Sequence, residues 1–236
     1  MKKNMKKEDG NVLFLILIAV ALFAALSYAV TSSTRSGGGD ASKETTLISS
    51  AQITQYPTVL STAILRMTIG GTSVDSIRFN LADDFTNLAT DSNPLSSGVF
   101  HPDGGGATYV EAPASAMATP GPWHFNTMME VPSIGQSDIA NSGDLIAFLP
   151  GVSAAVCTKI NEEYGLTGIP QIATDVSSSY EEDMIKGATT DDYNTAIANP
   201  VDIDNAGSDF DGQPFGCFQN NGSSGEYVYY HVIFER

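Results

Sequence analysis

An apolar run from Val12 to Val30 follows a short basic stretch, Met1–Lys7, and the charged residues Glu8 and Asp9 with Gly10. Nineteen helical residues at about 1.5 Å each give roughly 28 Å, close to the hydrocarbon thickness of a bilayer, so the run is long enough to span one. Lys2, Lys3, Lys6 and Lys7 precede it, and only Arg35 and Lys43 follow closely. The positive-inside bias therefore places the N-terminus in the cytoplasm and the rest of the chain outside. Three outcomes stay open. The helix is an uncleaved anchor; or Ser27-Tyr28-Ala29 supplies the small residues of a secretory cut before Val30, which releases a soluble protein; or a cut at the cytoplasmic face after Gly10 removes the leader and leaves the helix attached.

The remainder has the composition of an exported globular domain. Hydrophobic residues make up 42% and aromatic residues 9%, enough to bury one core. From Thr45 onward there are 23 acidic and 5 basic side chains, a net −18. Such a surface repels phosphate backbones and anionic head groups, so nucleic acid is not an expected partner. The acidity serves solubility outside the cell or, more specifically, cation binding.

The pattern predicts an α+β domain with an N-terminal transmembrane helix, a second amphipathic helix and a small antiparallel sheet. Its segments are a cytoplasmic leader over 1–10, the membrane helix over 11–30, a Gly/Ser linker over 31–41 and an acidic domain over 42–236. Gly37-Gly38-Gly39 is expected to interrupt the helix. From Ser42 to Ile69, Ile48, Ala51, Ile53, Tyr56, Val59, Leu60, Ala63, Ile64 and Met67 recur at helical spacing. Pro57 within this stretch predicts a kink or a later helix start. Short strands are expected at Ser76–Leu81 and Trp123–Met129, the latter with Trp123 and Phe125 on one face. The stretch from Asp91 to Gly121 reads as loop. Val152, Ala155, Val156, Ile160 and Tyr164 stripe a helix over Gly151–Gly165, and Glu226–Phe234 reads as a strand.

Cys157 and Cys217 are the two cysteines, and an even count in an exported chain favours a disulfide between them. His101, His124 and His231 lack the short spacings of a zinc site. Asp202, Asp204, Asp209 and Asp211 lie in a glycine-containing segment that suits calcium, although Ala206 and Gln213 stand where an EF-hand loop has ligands. The competing reading is a solvated acidic loop without cofactor. No nucleophile elbow, phosphate loop, dinucleotide fingerprint or His-Glu-x-x-His is present. The paired acids Asp83-Asp84, Glu181-Glu182-Asp183 and Asp191-Asp192 read as solvated faces or helix starts, and no enzymatic activity is expected. Asn221-Gly222-Ser223 matches a glycosylation acceptor.

Lys6-Lys7-Glu8-Asp9-Gly10 followed by Asn11-Val12-Leu13-Phe14-Leu15-Ile16-Leu17-Ile18 resembles the class III leader of type IV pilins and type II secretion pseudopilins. The resemblance covers about thirty residues. Most pilins carry phenylalanine or methionine after the glycine and a glutamate five residues after it, where this chain has Asn11 and Leu15. In the latter respect it is more similar to a minor pseudopilin at a filament tip. The resemblance implies cleavage between Gly10 and Asn11 by a prepilin peptidase, a bacterial inner-membrane location, and other pilin-like subunits as partners. It implies a structural or minor subunit of a pilus or pseudopilus, and a C-terminal disulfide fits it. The alternative is an exported ligand- or carbohydrate-binding module, anchored by the helix or released near Ala29.

Overall fold

The computed structural model describes residues 9–89, 95–135, 143–172, 175–181, 184, 200–203, 209–222 and 225–236, with backbone alone for 9–12 and 33–41. The architecture is mixed, with an N-terminal apolar helix and a small antiparallel sheet. Helix α1 comprises Asp9–Ile69, and by contacts the chain divides within it into Met1–Thr45 and Thr46–Arg236.

The first unit is helical from Asp9 onward, and the expected interruption at Gly37-Gly38-Gly39 is corrected: these residues lie in α1. Glycine in a helix costs about 1 kcal/mol relative to alanine but removes no hydrogen bond, so a triplet weakens a helix without ending it. Pro57 likewise lies inside α1 and starts no new helix, although its missing N–H deprives the Ile53 carbonyl of its usual donor.

The second unit is built on four strands. These are β1 (His124–Asn126), β3 (Leu145–Pro150), β5 (Phe215–Gln219) and β6 (Tyr227–Phe234), in the antiparallel order β1-β3-β6-β5. In the central pair Phe148 lies opposite Tyr230 and Ala147 opposite His231. A separate parallel pair joins β2 (Met129–Glu130) to β4 (Val201–Asp202). Side chains alternate across a sheet, and here both faces are covered. Leu145, Ala147, Leu149, Tyr229 and Ile233 join a core with Ile53, Leu60 and Ile64 of α1. Val156 and Ile160 of the helix Ala154–Glu163 join the same core. Ile146, Phe148, Val228, Tyr230 and Val232 face the other way, against Met129, Ile172, Tyr180, Ile203 and Phe210.

Two helices are short, α2 (Phe85–Leu88) and α4 (Ser177–Tyr180), the latter against β1, and Ala154–Glu163 is α3. The stripe of α3 differs in detail from the expected one. Cys157 and Asn161 are buried within it, whereas Ala155 and Tyr164 are exposed. Gly165 follows its end with φ +80°, a left-handed conformation suited to glycine. Trp123 and Phe125 share the α1-facing core as expected. Where a strand is expected over Ser76–Leu81, Ser76 ends a 3-10 turn (Val74–Ser76) and the rest is irregular chain with one parallel bridge, Arg78 to Gly98. Its N–H groups at Arg78 and Phe79 donate to Ser97 and Met184, two separate segments, so no ladder forms.

Candidate functional site

Leu13–Ser32 has a mean hydropathy of 2.7 and is 0% buried within the protein. It is apolar enough to cross a membrane, a property that signal sequences share. The hydroxyls of Thr31 and Ser32 donate to the carbonyls of Ser27 and Ala29 at 2.7 and 3.0 Å. Polar side chains at the end of this segment thus satisfy themselves on their own helix. Gly10 and Asn11 fall in the first turn of α1, while residues 1–8 lie outside the described residues.

In the second unit, α1 buries Ile53, Leu60, Ala63, Ile64 and Met67. Ile48 and Val59, expected in that stripe, are instead exposed, along with Leu47, Leu65 and Ile69. No charged residue occurs from Thr45 to Leu65. The hydroxyls of Thr54, Thr58 and Thr62 donate to the carbonyls four residues earlier at 3.1, 3.2 and 3.2 Å. With the hydroxyls held against the helix backbone, these side chains add little free hydrogen-bonding capacity to the uncharged outer surface.

The cysteines form the expected disulfide, joining α3 to β5 with Cα atoms 5.4 Å apart, an ordinary separation. Beside it Asn161 does what no sequence signal announced. Its amide donates to the Cys217 and Gly168 carbonyls at 2.9 and 2.8 Å, and its oxygen accepts from the Cys217 N–H at 2.8 Å. A buried side chain thereby bonds the outer edge of β5 at Cys217 as a neighbouring strand would, beside the bridge from Gln171 to Gln219.

Asp202 is exposed on β4, Asp209 and Asp211 are exposed in a turn, and Asp204 lies outside the described residues. Among the described residues no three His, Cys, Asp or Glu side chains gather as metal ligands. His101 accepts from the Asp103 N–H at 3.1 Å and packs edge-on against Phe85. His231 bonds the Tyr229 hydroxyl at 2.8 Å and stacks on Phe215, and burial pushes its pKa down to about 4. His124 sits on β1. Asp84 accepts from the amides of Asn80 and Asn87 before α2, and Asp83 belongs to the same turn. Glu181 is exposed after α4; Glu182, Asp183, Asp191 and Asp192 lie outside the described residues.

Two buried polar groups organise the sheet ends. The Asp144 carboxylate accepts from the Val131 and Arg236 N–H groups at 3.1 and 3.2 Å, and burial pushes its pKa up to about 6. The Tyr180 hydroxyl donates to Glu226 at 3.0 Å and accepts from Asn220, whose amide also donates to Asp175.

Compared with family models, with curated proteins and with solved structures, the chain matches none.

Proposed function

We propose that the chain is a membrane-anchored, pilin-like subunit whose role is assembly rather than chemistry. In this reading Asn11–Val30 is held in the bacterial inner membrane and the leader ends at Gly10, where a prepilin peptidase cuts. The acidic domain faces outward, and the helix packs against other pilin-like subunits of a pilus or pseudopilus.

The observation that carries this reading is the character of α1. Its Leu13–Ser32 portion is wholly uncovered apolar surface. In the second unit, its outer face bears Val59, Leu65 and Ile69 with no charge before Arg66. A domain of net −18 repels copies of itself most weakly where charge is absent, and apolar surface left in water favours association. Both terms direct packing to the helix.

The test is disulfide cross-linking in membranes. The native cysteines are paired and buried, so a Val59→Cys thiol is the reactive one. It is expected to give dimers under mild oxidation, while Glu162→Cys on the exposed side of α3 gives none. Equal cross-linking at both positions, or none at Val59, would contradict packing through α1.

A further inference from the structure

A groove of about 450 Å³ lies in the second unit between α1 and the segment at Glu111 and Pro113, within the usual size range of small-molecule sites, about 300–1,000 Å³. Gln52 and Gln55, one turn apart on α1, line one side, and the half-buried Tyr56 ring lies against the buried Trp123, with ring centroids 5.3 Å apart.

The polar groups of this groove are unevenly satisfied. The Tyr56 hydroxyl accepts from the Val110 N–H at 3.3 Å, and burial holds it protonated, so it retains a proton to donate. Trp123 is 3% exposed, and its indole N–H has no hydrogen-bond partner among the described residues. A buried donor left unpaired costs about 1–3 kcal/mol, so the fold tolerates here something it does not need for stability.

We propose that this groove binds a neutral saccharide unit. The half-buried Tyr56 ring offers the apolar face of a sugar a surface to pack on, with Trp123 buried behind it. The two glutamine amides both donate and accept, whereas the Glu111 carboxylate only accepts, and hydroxyls are the groups that answer all three. A proline-rich segment, the other ligand of aromatic grooves, offers carbonyl acceptors but no N–H at its prolines to donate to Glu111. Glu111 and the net −18 of the domain disfavour anionic sugars. The groove also takes in Val59 of the α1 face proposed above for packing, so it is open to a ligand in the chain outside an assembly, the state in which it is tested.

Trp123 is the only tryptophan, so its emission and its single indole N–H resonance report on the groove directly. The full chain, in a detergent without sugar head groups, is titrated with neutral hexoses, N-acetylhexosamines and their disaccharides. A uronic acid and a proline-rich peptide are run in parallel. A saturable change is expected with at least one neutral sugar at about millimolar concentration, weakened about tenfold or more in Gln55→Ala and Glu111→Ala. Both side chains are exposed, and the melting temperature of each variant is expected to match the parent. Three results would overturn the proposal: no saturable change with any neutral sugar, a stronger response to the uronic acid or the peptide, or undiminished binding in both variants.

Discussion

Asn161 bonds both the N–H and the carbonyl of Cys217, so its removal leaves two buried backbone groups without partners. Each unsatisfied buried group costs about 1–3 kcal/mol. Asn161→Ala is therefore expected to lower the unfolding free energy by about 2–4 kcal/mol, read as a shift in the denaturant midpoint followed by Trp123 emission. Asp144 and His231 act oppositely with pH. The folded pKa of Asp144, about 6, is raised above its ordinary 3.8, so the folded state binds the proton more tightly and loses stability as pH rises between those values. The folded pKa of His231, about 4, lies below its ordinary 6.5, so stability is present above 6.5 and falls as pH drops toward 4. Relative to the parent, Asp144→Asn is expected to make the melting temperature rise more steeply with pH between 4 and 6, and His231→Phe to make it fall. Unchanged slopes would mean that neither group titrates as its surroundings dictate. Neither partner set was legible in the sequence, because a lone buried Asn or Asp acquires its role only when distant segments meet it.

At the scale of elements, legibility followed periodicity. The strand β6 was readable from its run of tyrosines and β-branched residues, and α3 from Val156 and Ile160 with Gly165 beyond its end. Trp123 and Phe125 were correctly placed on one face. The strand β3 gave no alternation, because all six residues Leu145–Pro150 are buried and the sheet is covered on both sides, which erases a period of two. The strand β5 was obscured by Gly216 and Cys217 in only five residues. A side chain added at Gly216 would come within 3.3–3.4 Å of the rings of Tyr230 and Phe210, so packing sets that residue rather than strand preference. The bridge between α3 and β5 spans sixty residues. Replacing both cysteines by alanine is expected to cost about 4 kcal/mol on the chain-entropy model, measured as a lower denaturant midpoint without loss of helical signal. On α1, Val59→Asp places a charge on an exposed, uncharged face. It is expected to leave the melting temperature within about 2 °C of the parent, since surface changes are worth at most about 0.5 kcal/mol. Self-association in membranes, measured by energy transfer between fluorescently labelled copies, is expected to fall severalfold.

For the molecule as a whole, three properties point one way: an N-terminal helix apolar enough to cross a bilayer, a strongly acidic domain with both faces of its sheet covered, and a helix face kept free of charge. The apolar N-terminal helix and the mixed helix-and-strand fold were legible because hydropathy and periodicity are sums over many residues and survive errors at any one of them. The candidate sites were less so: Asp204 of the 202–211 segment lies outside the described residues, and Asn161 and the groove beside Tyr56 carried no local motif. The claim that this chain is a pilin-like subunit turns on its mature N-terminus. It is measured by intact mass and terminal sequencing of the full chain expressed with and without a prepilin peptidase. The account predicts a chain beginning at Asn11 only when that enzyme is present. A chain beginning at Val30, or one left intact at Met1 or Lys2 with the enzyme present, would contradict it.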